Sequence, residues 1–285
     1  MPPVGNVDMF RLTRQVRFSV NPFGPDSKEG ANSFASVPSG EGLCLFLALT
    51  IGVTGPLDPD TGFVVNVMEI DRQARDHTVP LLAEYIRERF RDGRAVSLSD
   101  LAALLHEARG VLEGRLATAR VNSLCLALNP YRTLAIWPED TTVMLFSEKF
   151  EFAATHTLWN SRFSPEENAE MFGKCANPTG HGHNYVLEVK VRCPVAREDW
   201  RIARFQQIVE EAFLSRVDHR NLNLDVPQFA EAIPSVENLA VMAWRCLQGR
   251  LAPAVLEEVA IWETDKTCCV YRPETAHSGT PDNAS

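Results

Sequence analysis

A short segment of the chain, KCANPTGHGHNY, contains one thiol and two imidazoles within residues 174–185. His181 and His183 are two positions apart, at the start of a segment whose apolar residues alternate as they do in a strand. Because strand side chains point alternately to the two faces, both imidazoles lie on the same face. Histidine is the commonest metal ligand, so the pair indicates either a metal site or two exposed histidines on a strand.

A third histidine favours the metal site. His156 ends the preceding strand-like segment, FEFAATH. If the two strands pair antiparallel, the end of the first lies beside the start of the second, and three imidazoles meet. Three histidines are the ligand set of an open catalytic zinc site. The sequence therefore predicts Zn²⁺ bound by His156, His181 and His183.

Cys175 has three interpretations at this point. It could be a fourth ligand, which would close the zinc site and make it structural. It could be a free thiol beside the metal, acting as base or nucleophile. It could also be a buried, inert cysteine, which is the commonest state of an isolated one.

Two further features carry titratable groups. Asp218 and His219 are adjacent in SRVDHRNLNLDVP, where a turn would let the carboxylate orient an imidazole; the alternative is a solvated pair. Glu263 lies among strand residues in AIWETD. It is either at an exposed edge or an anchor for a cationic or amidine-like ligand.

Composition limits the class of protein. The 285 residues are 45% hydrophobic and 23% charged, with a net charge of −9. This acidity argues against nucleic acid or an anionic membrane as the main partner. Seven irregularly spaced cysteines, together with an N-terminus that lacks the pattern of a secretion signal, predict a reduced, cytoplasmic protein. The apolar-poor segment 274–285 is expected to be a disordered tail.

The chain carries a faint internal repeat, in which three pairs of segments match in the same order. Residues 38–43, 97–102 and 135–137 match residues 178–183, 235–240 and 260–262. Apolar spacing predicts strands at 11–20, 43–53, 121–128 and 133–146 of the first half, with helices at 71–90 and 98–116, the second capped by Ser99 or Asp100. In the second half it predicts strands at 142–154, 183–192, 255–264 and 267–272, with helices near 200–215 and 236–250. The predicted fold is α+β, with two tandem units at 1–147 and 148–273. Each unit has a four-stranded antiparallel sheet (ββααββ) with helices on one face.

The second half resembles the tetrahydropterin synthases of the T-fold superfamily, which include 6-pyruvoyl- and 6-carboxy-tetrahydropterin synthases. Five motifs in family order carry the resemblance: FAATH at 152–156, EENAEMFGKCANPTGHGHNY at 166–185, VDHRNLNLDVPQFA at 217–230, SVENLA at 235–240 and AIWETD at 260–265. The resemblance implies an enzyme that acts on a pterin triphosphate and uses zinc. It further implies a homo-oligomer, because T-fold units join to close their sheets.

The resemblance also implies a role for each matching residue. His156, His181 and His183 match the zinc ligands, and Cys175 matches the catalytic cysteine. Asp218 and His219 match a pair that works with the cysteine in proton transfer. Glu263 matches the glutamate that binds the amino-pyrimidine edge of the pterin, and Ser235 and Glu237 match a stretch lining the pterin pocket.

The first half departs from this pattern. It has Pro22, Glu41 and Leu43 where the repeat would require histidines, and Pro138 where it would require Glu263. It therefore resembles a unit without a metal site. The family's hairpin motif, DPxTGxVxN, occurs in the first half at 58–66 and not in the second.

The expected reaction is the loss of triphosphate from 7,8-dihydroneopterin triphosphate to give 6-pyruvoyl-tetrahydropterin. The spacing of Cys175 and His181 resembles that of the pyruvoyl-forming members. The alternatives are a 6-carboxy-tetrahydropterin synthase of the queuosine and deazaguanine pathway, or a zinc-holding, pterin-binding scaffold without turnover. Cations for the triphosphate are expected among Lys149, Arg162, Lys174 and Arg220.

Overall fold

The computed structural model describes residues 8–23, 44–138, 140–195 and 200–273. The chain divides into two compact units, Met1–Ser147 with Arg192–Glu198, and Glu148–Val191 with Asp199–Ser285. The predicted tail at 274–285 and the repeat segment at 38–43 lie outside the described residues. No helix among the described residues is long and apolar enough to cross a membrane.

The first unit has two strands, a helical layer and two more strands. The strands are β1 (Phe10–Val20), β2 (Leu45–Gly55), β3 (Arg120–Asn129) and β4 (Arg132–Trp137), hydrogen-bonded in that order. β1, β2, β3 and β4 are antiparallel to their neighbours. Helices α1 (Val67–Gln73) and α2 (Val79–Arg91) are joined by a π-helical turn at Ala74–Thr78, and α3 is Leu98–Leu112.

The second unit repeats this order with insertions. Its strands are the second half of β5 (Asp140–His156), β6 (His181–Pro194), β8 (Val255–Thr264) and β9 (Thr267–Tyr271), in that order, and the short β7 (Arg220–Asn221) pairs parallel with β5. Its helices are α4 (Pro165–Phe172), α5 (Ile202–Val209), α6 (Ser215–Val217), α7 (Leu222–Asp225) and α8 (Val236–Leu247). The predicted α+β fold with two tandem ββααββ units is confirmed.

The core of the second unit lies on one face of its strands. On β6, Tyr185, Leu187, Val189 and Val191 are fully buried, whereas the alternate residues are half-buried or exposed. Phe152 stacks on Tyr185 with 4.9 Å between ring centroids. Each such side chain contributes about 2–3 kcal/mol by leaving water, so this alternation fixes the register of the strands that carry the site.

Two sequence-based details are wrong. The predicted strand at 133–146 is two strands, because Pro138 lacks the N–H needed to continue a ladder and the chain turns there. The cap of α3 is Ser97, not Ser99 or Asp100. Its side chain accepts from the Asp100 N–H, and the Asp100 side chain accepts from the Ser97 N–H in return. Asp100 thus completes a capping box from inside the helix.

Candidate metal centre and active site

Three imidazoles meet at one end of the second unit. His156 is the last residue of β5, and His181 and His183 begin β6. One ligand atom from each of them lies within 4.8 Å of the other two. The Nε2 atoms of His156 and His181 are 3.1 Å apart. The structure thus brings together all three predicted metal ligands.

The strand pattern explains why they share a face. His156 continues the buried row of Phe152 and Ala154 on β5, and His181 and His183 continue the row of Tyr185 on β6. Gly180 precedes this row and has φ +70°; a Cβ there would lie 3.0 Å from the carbonyl oxygen of His156. Glycine therefore permits both the turn and the close approach of the two strands.

His156 is held in one orientation. It is 1% exposed, and its Nδ1 donates to the carbonyl oxygen of Pro234 at 2.7 Å. Burial, as the main cause, lowers its pKa, so the ring stays neutral and its Nε2 keeps a lone pair. A ligand imidazole whose other nitrogen is bound to a carbonyl is the usual arrangement in zinc proteins.

The residues present fit a zinc ion. In a tetrahedral site with Zn–N of about 2.0–2.1 Å, two nitrogens lie about 3.3 Å apart, close to the 3.1 Å between His156 and His181. Nε2 of His183 is buried and has no hydrogen-bond partner in the part of the chain that the structure describes. Burial also lowers the pKa of His183. An unpaired nitrogen that stays deprotonated beside two other imidazoles has the chemistry of a ligand.

Glu263 lies beside the imidazoles. Its Oε1 is 3.6 Å from Nε2 of His156 and 3.8 Å from Nε2 of His183. On β8 it follows the buried row of Val259 and Ile261, which explains its half-buried position on the same face. The structure therefore places this carboxylate beside the three imidazoles, next to the predicted metal position.

Cys175 is held near the same place by the loop between β5 and β6. It lies in a 3₁₀ turn, Gly173–Ala176, and its carbonyl accepts from the Leu158 N–H at 2.8 Å. Burial raises the pKa of Tyr185, and the charges of Glu263 and Cys175 raise it further. Leu158 is two residues beyond His156, so the turn of Cys175 is bonded to the segment that follows the ligand strand. The fully buried Tyr185 contacts Nδ1 of His156 at 3.4 Å.

Asp218 and His219 form a pair at the start of β7. Oδ1 of Asp218 accepts from Nδ1 of His219 at 2.9 Å and from the Ala153 N–H at 2.9 Å. Burial acts to raise the pKa of Asp218, but these bonds outweigh it, and the pKa is lowered. The His219 side chain is 82% exposed. The carboxylate is therefore charged and orients a solvent-facing imidazole.

This pair is bonded to β5 at Ala153. The His219 N–H bonds to the carbonyl of Ala153, three residues along β5 from His156, about 10 Å at the usual rise per residue. His219 lines a cavity of about 410 Å³ with Ala153, Thr155, Gly182 and Asn184, among others. These four residues belong to the rows opposite the three imidazole rings, but Ala154 and His183 line the same cavity.

The other predicted site residues separate into two groups. Ser235 caps α8 by accepting from the Asn238 N–H at 3.4 Å, and Glu237 is exposed in the first turn.

Among the predicted cations, the Lys149 ammonium lies over the Trp262 ring at 4.9 Å, whereas Arg220 lines the cavity of His219. Arg162 and Lys174 do not line the cavity of His219.

Sequence reasoning missed the residues that support the ligands. Asn238 donates from its side chain to the Ile233 carbonyl at 2.9 Å, beside the Pro234 carbonyl that orients His156. Asn223 exchanges two hydrogen bonds with the backbone of Thr157, at 2.8 and 2.9 Å. Both asparagines lie within motifs that the sequence singled out, but only the fold reveals what they hold.

Comparison with known proteins identifies relatives of the second unit. The family model for 6-pyruvoyl tetrahydropterin synthase matches residues 146–274. The human 6-pyruvoyl tetrahydrobiopterin synthase is 41% identical over 131 residues, which are 45% of this chain and 90% of the human protein. The 6-carboxy-5,6,7,8-tetrahydropterin synthase of Aquifex aeolicus is 25% identical over 159 residues, 45% of this chain and 97% of that protein. The structure of Caenorhabditis elegans 6-pyruvoyl tetrahydropterin synthase aligns with TM-score 0.43 and 36% identity, over 46% of this chain and 96% of that one.

Proposed function

The chain belongs to the 6-pyruvoyl tetrahydropterin synthase family, and from that membership we propose that it converts 7,8-dihydroneopterin triphosphate into 6-pyruvoyl-tetrahydropterin, as a carbon–oxygen lyase. The observation that carries the proposal is the cluster of His156, His181 and His183 beside Glu263 and near Cys175. A relative with the pyruvoyl-forming name is 41% identical across 90% of its length. The relative with the 6-carboxy name is 25% identical.

His156, His181 and His183 would hold the metal through their imidazole nitrogens. A bound Zn²⁺ supplies Lewis acidity and makes a coordinated hydroxyl more acidic. The protein's own contribution is orientation, because the Pro234 carbonyl fixes the tautomer of His156, and burial lowers the pKa of His156 and of His183.

Cys175 and Glu263 take separate roles in the proposal. The Sγ of Cys175, as thiolate, takes a proton from a side-chain carbon of the substrate that bears a hydroxyl. Glu263 binds the amino-pyrimidine edge of the ring and thereby sets the position of the side chain. The elimination breaks the C–O bond to the triphosphate, and the electron pair of that bond leaves with the triphosphate oxygen.

In the proposal, Asp218 and His219 relay the second proton of the reaction, and they do so at the active site of a neighbouring chain. Their hydrogen bonds to Ala153, about 10 Å along β5 from His156, support a site shared between copies of a homo-oligomer. Mixing Cys175→Ala chains with His219→Ala chains tests this. Each variant alone is expected to lose about 100- to 10,000-fold in turnover, and the mixture should regain activity, whereas a mixture as inactive as its parts would place both residues in one chain's site.

Product analysis with 7,8-dihydroneopterin triphosphate tests the proposal as a whole. The expected products are 6-pyruvoyl-tetrahydropterin and one inorganic triphosphate per turnover. Formation of the 6-carboxy compound would assign the alternative activity. A protein that binds zinc but leaves the substrate unchanged would be a pterin-binding scaffold, and the proposed function would be wrong.

A further inference from the structure

A second cavity, of about 480 Å³, adjoins the end of β7 and is lined by two arginines. Its walls are formed by Ser215, Arg216, Arg220, Asp225, Val226, Pro227 and Gln228. The one acidic residue there is already engaged, since Oδ2 of Asp225 accepts from the Asn221 N–H at 2.8 Å. The cavity thus combines two guanidinium groups and one carboxylate with hydroxyl and amide groups.

Neither arginine is neutralised within the described part of the second unit. Arg220 forms no ion pair there, and the contact of Arg216 is from Nη1 to the sulfur of Cys246, at 3.9 Å. By contrast, Arg72, which lines the larger cavity of the first unit, is paired with Glu69 at 2.6 Å. Two unpaired guanidiniums on one cavity are suited to the oxygens of a phosphate group.

The position of Arg220 relates this cavity to the metal centre. Arg220 pairs with Ala154 on β5, so the two side chains share a face, and Ala154 is in the buried row that ends at His156. Arg220 is one strand away from β5, and its partner Ala154 is two residues before His156. These two displacements together correspond to about 8 Å between the Cα atoms of Arg220 and His156. Arg220 also lines the cavity of His183 and His219, so its side chain borders both spaces.

The strand order matches the order of groups in the proposed substrate. Going across the sheet of the second unit, β8, β6, β5 and β7 are neighbours. They carry Glu263, then the imidazoles, then Arg220. The proposed substrate has a pterin ring, then hydroxyl-bearing side-chain carbons, then a triphosphate. When the pterin ring binds at Glu263 and the side-chain hydroxyls lie at the histidines, the triphosphate extends towards β7.

We infer that Arg216 and Arg220 form the triphosphate-binding site, an inference that rests on the proposed function. Their guanidinium groups bind the phosphate oxygens and stabilise the charge that the leaving group takes with the broken C–O bond. An acidic chain with a net charge of −9 needs such local cations to bind a polyanion.

The test compares Arg216→Gln, Arg220→Gln and the double variant with Arg204→Gln. Arg204 is an exposed residue of α5 in the same unit, so the control removes the same charge elsewhere. Binding of inorganic tripolyphosphate is measured by calorimetry, and KM and kcat are measured with the pterin triphosphate. Because charge-assisted hydrogen bonds are strong, each site variant should weaken tripolyphosphate binding and raise KM by about 10-fold or more. Zinc content should be unchanged, and Arg220→Lys should recover part of the loss.

Tripolyphosphate affinity that is unchanged in the double variant, or lowered equally by Arg204→Gln, would overturn the inference. Failure of the proposed function is distinguishable. A wild-type protein that binds tripolyphosphate through these arginines but does not turn over the pterin would refute the reaction and leave the anion site standing. Normal turnover with an unchanged KM in the double variant would refute the site alone.

Discussion

The two units have one architecture, but among the described residues only the second brings three imidazoles together. At the end of β1 and the start of β2, the first unit has Val20, Leu45 and Leu47, where the second has His156, His181 and His183. Val20 and Leu47 are buried. Leu45 is exposed. The same strand ends thus carry apolar side chains in the first unit and three clustered imidazoles in the second.

The equivalent of Glu263 lies on β3. β3 and β8 both have ten residues and nearly the same burial pattern, and both follow the capped helix of their unit. Leu128 is the ninth residue of β3, as Glu263 is of β8. A leucine cannot bind an amidine edge, so the first unit has lost this function as well.

This corrects the sequence-based repeat. The match of 135–137 with 260–262 joined β4 to β8, which are not equivalent in strand order, so Pro138 is not the counterpart of Glu263. The counterparts of the histidines are Val20, Leu45 and Leu47, not Pro22, Glu41 and Leu43; Glu41 and Leu43 lie outside the described residues. Short apolar strands resemble one another too closely for a three-residue match to establish equivalence.

Removing a ligand should have the largest effect. His181→Ala is expected to reduce zinc from about one ion per chain to nearly none and to abolish turnover, because two imidazoles do not complete a site of this kind. Elemental analysis measures the metal. The control is His77→Ala in the helical layer of the first unit, which should retain its zinc; loss of zinc there instead would contradict the comparison between the units.

Substitutions at two glycines, one in each unit, test how far the backbone supports the candidate metal centre. Gly180 and Gly114 have similar φ values, +70° and +75°, but a Cβ meets the His156 carbonyl only at Gly180. Gly114→Ala should therefore cost only the conformational strain, about 1–2 kcal/mol of unfolding free energy. Gly180→Ala should cost more and weaken zinc binding about 10-fold or more, as changes to ligand support do.

Urea unfolding and competition with a zinc chelator measure these two effects. Equal losses of stability in both variants, with zinc affinity unchanged in Gly180→Ala, would show that the close approach of the strands does not support the metal centre.

The two helix caps should give the smallest effects. Ser97 accepts from the Asp100 N–H at 3.0 Å and Ser235 from the Asn238 N–H at 3.4 Å. Substitution by alanine should cost about 1 kcal/mol at Ser97 and less at Ser235. Only Ser235→Ala should alter zinc affinity, because the turn that it stabilises adjoins the Pro234 carbonyl bound to His156. An effect of Ser97→Ala on zinc would argue against this separation.

The sequence by itself predicted most of the strands, the buried rows and the three histidines that lie together. Alternation in FEFAATH and HGHNYVLEV predicts which side chains point inward, and burial of Phe152 and Tyr185 enforces that prediction. β8 was predicted with its observed bounds, Val255–Thr264, because a β-branched and apolar segment between turns is an unambiguous local signal.

Only the tertiary structure decided how distant segments meet. The carbonyl of Pro234 at His156, the position of His219 beside Ala153, and the place of Arg220 on a cavity depend on which strands and loops become neighbours. The sequence around these residues has no apolar periodicity from which these contacts could be predicted. The physical reason is that local spacing fixes the direction of a side chain, whereas the partner it reaches is set by how the whole chain packs its apolar surface.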